Sequence, residues 1–204
     1  MMRALVALIL TTAVATATGS VSISIDAQNA LTTIDTVPTK DQINGAFGEF
    51  ITDADVLQNL RSIALDVDPL ADPGIRLRAI HALAKYCPAP CDPTHIAHQT
   101  AESVIAMTRN AETTGTNVLL LRAGIETMGL MKIPTDEATL RDLLHHASRD
   151  IRAATARALA ELCNRQAENP LKGRYAVEPP SEGNQVKLAI SEALRILDQC
   201  SSNP

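Results

Sequence analysis

From Asp53 onward the apolar residues fall three and four apart, the period of a helix with one buried face. Val56, Leu57, Leu60, Ile63 and Ala64 share one stripe, with Asp53 as its N-cap. The stretch "DVDPLADPG" interrupts that helix. A second starts with Pro73 in its first turn and carries Ile75, Ala79, Ala82, Leu83 and Tyr86 on one side, until the prolines of "CPAPCDP" stop it. Residues 94–109 present Ile96, Ala101, Val104 and Ile105, and after "AETTGT" the run "NVLLLRAGIETMGLM" supplies a partner helix. Residues 137–147 hold Leu140, Leu143 and Leu144, "SRD" turns the chain, and 151–163 form the next helix. A last helix is predicted over 184–199. The rest reads as less regular: an extended mobile leader over 18–38, a short helix "KDQINGAF" ending before Gly48, a polar loop over 164–183 containing Pro179-Pro180, and a tail over 201–204.

The second helices of these pairs overlay. "RLRAIHALAKYC" at 76–87 and "RAATARALAELC" at 152–163 both begin on Arg, run Ala-Leu at the seventh and eighth places and end on Cys. The last helix follows with Val186-Lys187, Ile190 and Ala193-Leu194, and the middle one more loosely with Leu120-Leu121, Gly124 and Met128. The steps between them are 45, 31 and 35 residues, about one helix pair each, as expected of an all-α solenoid of three to four stacked pairs over residues 39–200. Ala and Gly on the inner stripe allow helices to approach to about 8–10 Å. Arg76 and Arg152 stand at helix starts, where the helix dipole disfavours a cation, so each is expected to reach a turn carboxylate or carbonyl of the adjacent repeat.

"DPGIRLRAIHALAKY" and "SRDIRAATARALAEL" resemble HEAT repeats, in particular the short bacterial type also found in phycobilin lyases. The family pattern is a turn acid, here Asp72 or Asp150, then an aliphatic-Arg pair, here Ile75-Arg76 or Ile151-Arg152, then small residues and Ala-Leu. The resemblance spans roughly residues 53–199; in the second repeat Leu121 stands in place of the Arg. It implies an armadillo-type superhelix whose second helices line a concave, partner-binding face. On those helices the outward positions include Arg78, His81, Lys85, Arg122, Glu126, Arg157, Glu161, Glu192 and Arg195, and Tyr175 is the one aromatic of the 164–183 segment.

Composition narrows the class. Apolar residues make up 46% of the chain but aromatics only 2%, which suits closely packed helices better than a sandwich or barrel. A net charge of −5 argues against nucleic acid as a partner. At the N-terminus Arg3 precedes an apolar run from Ala4 to about Ala15, then Ala-x-Ala steps, the pattern of a cleaved secretory signal over 1–17. That run is too short to span a bilayer comfortably, so an exported protein, periplasmic or secreted and without stable membrane insertion, is expected.

Four cysteines fit such a compartment. Cys87 and Cys163 end equivalent helices two repeats apart, on the order of 20 Å by stacking, too far for a disulfide. Cys87–Cys200 with Cys91–Cys163 is worse still, which leaves Cys87–Cys91, for which a cis Pro90 is one solution to the tight "CPAPC" turn, and Cys163–Cys200, which ties down the last helix. Candidate chemistry is thin. Cys87, Cys91, His95 and His98 have the residue types of a metal- or ligand-binding module, the alternative to a binding scaffold. Against it, export favours the oxidised pair. His145 and His146 are adjacent and cannot share a helix face. No nucleophile motif, phosphate loop or HExxH occurs. The expectation is a protein without catalytic residues, cofactor or metal, acting on a protein partner.

Overall fold

The computed structural model describes Leu31 and residues 39–48, 51–66, 72–110, 114–179 and 184–202. The expected signal over 1–17 lies outside these residues, as does nearly all of the leader over 18–38.

Among the described residues the chain is all-α, with nine helices and no strand: α1 Lys40–Phe47, α2 Asp53–Ala64, α3 Pro73–Leu83, α4 Ile96–Thr108, α5 Thr116–Met131, α6 Glu137–Leu143, α7 Arg149–Glu161, α8 Glu168–Val177 and α9 Gln185–Ser202. Short 3-10 turns precede α6 and α8 and follow α3. Local chemistry sets the starts. Thr39 and Thr52 close capping boxes with Gln42 and Asp55, so the cap of α2 is Thr52, one residue before the expected Asp53. Asp72 accepts from the Gly74 amide at 2.7 Å with Pro73 as the first helical residue. No helix is long and apolar enough to cross a membrane among the described residues.

Packing follows the two-helix period. α3 packs on α5, α5 on α7 and α7 on α9, while α2, α4, α6 and α8 each lie against the helix that follows them. Two apolar clusters result. One gathers side chains from Leu31 to Ile133, the other from Ile105 to Leu197. α5 belongs to both: Leu120, Ala123 and Met131 face the first, and Val118, Leu121, Ile125 and Met128 the second. Its glycines make this possible. A Cβ on Gly129 would stand 2.8 Å from the Ala158 Cα of α7, and one on Gly124 3.0 Å from Ile105 of α4.

Three expectations need correction. The segment 164–183 is not a loop throughout: Glu168–Val177 is helical and gives α9 its partner. Pro170 is tolerated there because it sits in the first turn, where its missing N–H has no helical acceptor. Leu31, inside the expected extended leader, is helical and 1% exposed. Ser201 and Ser202 continue α9 instead of opening a tail.

Both expected disulfides are present, with Cα–Cα distances of 5.3 Å for Cys87–Cys91 and 5.7 Å for Cys163–Cys200. Ala89–Pro90 is cis.

Candidate functional site

The successive packing of α3 on α5 leaves a shallow groove of about 180 Å³ between them. Its lining is Leu77 and His81 from α3 and Leu119, Arg122, Ala123 and Glu126 from α5. Helical spacing explains the set: 77 and 81, 119 and 123, and 122 and 126 are each four apart and share a face. Three of the six, His81, Arg122 and Glu126, are among the outward positions expected from the sequence.

Their charges are organised around Glu126. The Arg122 Nε donates to its Oε1 at 2.7 Å, and the His81 Nε2 stands 3.4 Å from its Oε2. Burial alone would raise the Glu126 pKa, but hydrogen bonds from His81 and Arg122 outweigh it and hold the carboxyl below its ordinary value. Glu126 returns the effect: its hydrogen bond and charge raise the Arg122 pKa. Beside this pinned triad Leu119 remains 50% exposed, an apolar side chain with its surface turned to solvent.

The other expected residues are dispersed. Lys85 is exposed in the 3-10 turn after α3, and Arg157 is exposed on α7. Glu161 pairs with Lys132 at 3.2 Å. Tyr175 lies on α8, with the Lys187 Nζ 5.4 Å from its ring centre. Arg78 is used within the chain: its Nη1 donates to the Leu31 carbonyl at 2.7 Å. Of the two helix-start arginines, Arg152 reaches the adjacent helix pair as expected, at Glu178, whereas Arg76 stays within its own pair. Arg76 donates to the Ala64 carbonyl at 3.2 Å, and Arg152 to the His146 and Ala147 carbonyls and to the Glu178 carboxylate.

The Cys–His cluster is split. Cys87, Cys91 and His95 place ligand-type atoms within 4.8 Å of one another, but the two sulfurs are bonded to each other and offer no thiolate. His95 is occupied as the cap of α4, its Nδ1 accepting from the Ala97 amide at 3.2 Å. His98 belongs to a second group with Glu102 and Asp136, and both of its ring nitrogens are engaged in hydrogen bonds. As it stands, neither group presents a free donor set for a metal.

Sequence reading missed three buried acids, Asp136, Glu137 and Glu178. Asp136 follows Pro134 in "IPTDE" and looks like an ordinary helix start; Glu178 sits in a segment taken for a loop. The only signal was chemical: a buried histidine or arginine needs an acceptor, without saying which one.

No protein-family model, curated protein or solved structure matches the chain.

Proposed function

We propose that this chain is an exported, non-catalytic α-solenoid of HEAT type that binds a protein partner through the outer face of its second helices. The observation that carries the reading is the α3–α5 groove, where His81, Arg122 and Glu126 meet beside the exposed Leu119. A fixed, charge-paired rim next to an accessible apolar side chain suits a protein surface, since hot spots combine desolvated anchors with polar surroundings. The order α3, α5, α7, α9 supports a stacked array, and two disulfides support an oxidising compartment.

Photo-crosslinking in the native host tests it. A photoreactive residue at position 119 is expected to give a discrete adduct with one protein, abolished by Arg122→Glu. The same probe at Met107, exposed on α4, is expected to give none. Adducts from 107 and not from 119 would move the interface to the first helices. Intact mass of the mature protein checks the compartment: loss of the first ~17 residues and no alkylation before reduction are expected.

A further inference from the structure

His98, in the first turn of α4, is 2% exposed, and both of its ring nitrogens face acceptors. Nδ1 lies 2.9 Å from the Pro93 carbonyl oxygen, and Nε2 lies 3.0 and 3.1 Å from the two oxygens of Asp136. Asp136 is itself 4% exposed and sits in the 3-10 turn that opens α6. A carbonyl only accepts, so Nδ1 carries a hydrogen. The contact between Nε2 and Asp136 then needs a second one, on the ring or on the carboxyl. Without it a nitrogen lone pair would face a carboxylate at hydrogen-bond distance in a site closed to water.

We propose that His98 and Asp136 retain one extra proton between them, and that this proton is a latch joining the 87–95 loop and α4 to the turn before α6, released as pH rises. The groups that face the ring are few. Asp136 approaches from the next helix pair, and Glu102, one turn along α4, stands with Oε2 3.9 Å from Nδ1. In the loop before α4, Asp92 is held by Thr94 and His95 by the Ala97 amide. Beyond Asp136, Glu137 is paired with Arg141. Acceptors and negative charge therefore surround His98.

Burial opposes charge on His98, but the hydrogen bonds to Asp136 and Pro93 and the charges of Asp136 and Glu102 prevail, and its pKa is raised. A raised histidine stabilises fully below its unfolded pKa, and that stabilisation disappears as pH climbs through the folded one. The junction is thus firm in acid and loosens in alkali. A reporter lies at hand: the Cys91 amide donates to the Met131 carbonyl at 2.8 Å, across the same junction.

The test uses the full chain. Nitrogen-15 spectra of the histidine rings are expected to show both His98 nitrogens still protonated at pH values where an ordinary histidine has become largely neutral. Hydrogen-exchange protection of the Cys91 amide, corrected for intrinsic rate, is expected to fall as pH rises from the ordinary histidine pKa through the raised folded one. The fall should be about tenfold for each unit by which the folded His98 exceeds its unfolded pKa. Asp136→Asn should move the His98 titration to lower pH and abolish the change at Cys91. If Asp136→Asn does not fold, the wild-type spectra and exchange profile decide alone. An unprotonated Nε2 with Asp136 also ionised, or Cys91 protection that stays flat while His98 titrates, overturns the proposal.

Discussion

Arg76 and Arg152 occupy the same place in two copies of one sequence pattern, yet their surroundings differ. At the start of α3, Arg76 donates to the Ala64 carbonyl, and its Nε is buried without a hydrogen-bond partner among the described residues. Desolvation lowers its pKa, opposed by the charge of Asp66. At the start of α7, Arg152 is buried and holds two carbonyls as well as both oxygens of Glu178, a carboxylate also gripped by Arg174. The difference is not in the pattern. It comes from what the following helix pair delivers, since Glu178 arrives from the end of α8. A repeat motif fixes where a cation sits; its neighbour decides how much that cation stabilises.

The strongest way to break this comparison is to remove each arginine. Arg152→Leu leaves Glu178 buried with Arg174 as its remaining ion-pair partner and should cost about 3–5 kcal/mol in urea unfolding. Arg76→Leu, which removes one carbonyl bond and one unpartnered nitrogen, should fall within about 1 kcal/mol of wild type. Equal losses would show that the two sites are equivalent after all.

The cystines extend the contrast. Replacing Cys163 and Cys200 by Ser should cost about 3–4 kcal/mol, and the same change at Cys87 and Cys91 about 2, because the first bridge closes the much longer loop. Thermal unfolding of the two double variants ranks them. Gly129→Ala probes the seam between the two clusters. Its new Cβ meets the α7 backbone at Ala158, so a loss of about 1–3 kcal/mol is expected despite the better helix propensity of Ala. Gly124→Ala makes its tight contacts with the side chains of Ile105 and Val104, with the Ala101 carbonyl at an ordinary 3.7 Å, and should cost less.

The smallest and most diagnostic effect is with pH. Burial opposes the charge on Glu178, but hydrogen bonds and charges of Arg152 and Arg174 win, and its pKa is lowered. Its stabilisation is therefore present above the ordinary glutamate pKa and lost as pH falls through the depressed one. Glu178→Gln should flatten the acid limb of stability against pH, measured by denaturant midpoints.

Much of this was readable from the residues. Period and prolines placed α2 to α7 and α9 within a few residues, because those helices bury Leu, Ile and Ala at three-and-four spacing. The disulfide pairing followed from stacking equivalent helices. α8 escaped because among its ten residues only Leu171 is buried, and Pro170 and Gly173 read as loop. Leu31 escaped because the segment around it, rich in Ser, Thr and Asp, shows no sustained helical period. Arg78 looked like a partner contact, yet it anchors Leu31, and nothing local in "RLRAIHAL" distinguishes the two uses. Of the groove, the rim was legible. That Leu77 and Leu119 would sit beside it depended on how α3 lies against α5, a tertiary fact.

The Cys163–Cys200 bond also changes how the chain would carry a load. Tension applied to the residues after Cys200 passes through the cystine into Cys163, bypassing everything between. α8, and α9 up to Cys200, would hang as a slack covalent ring beside the force path, unstretched until the sulfur bridge is reduced. A protease cut inside that ring would likewise release no fragment: the nicked chain would keep its two pieces together until a reductant separated them.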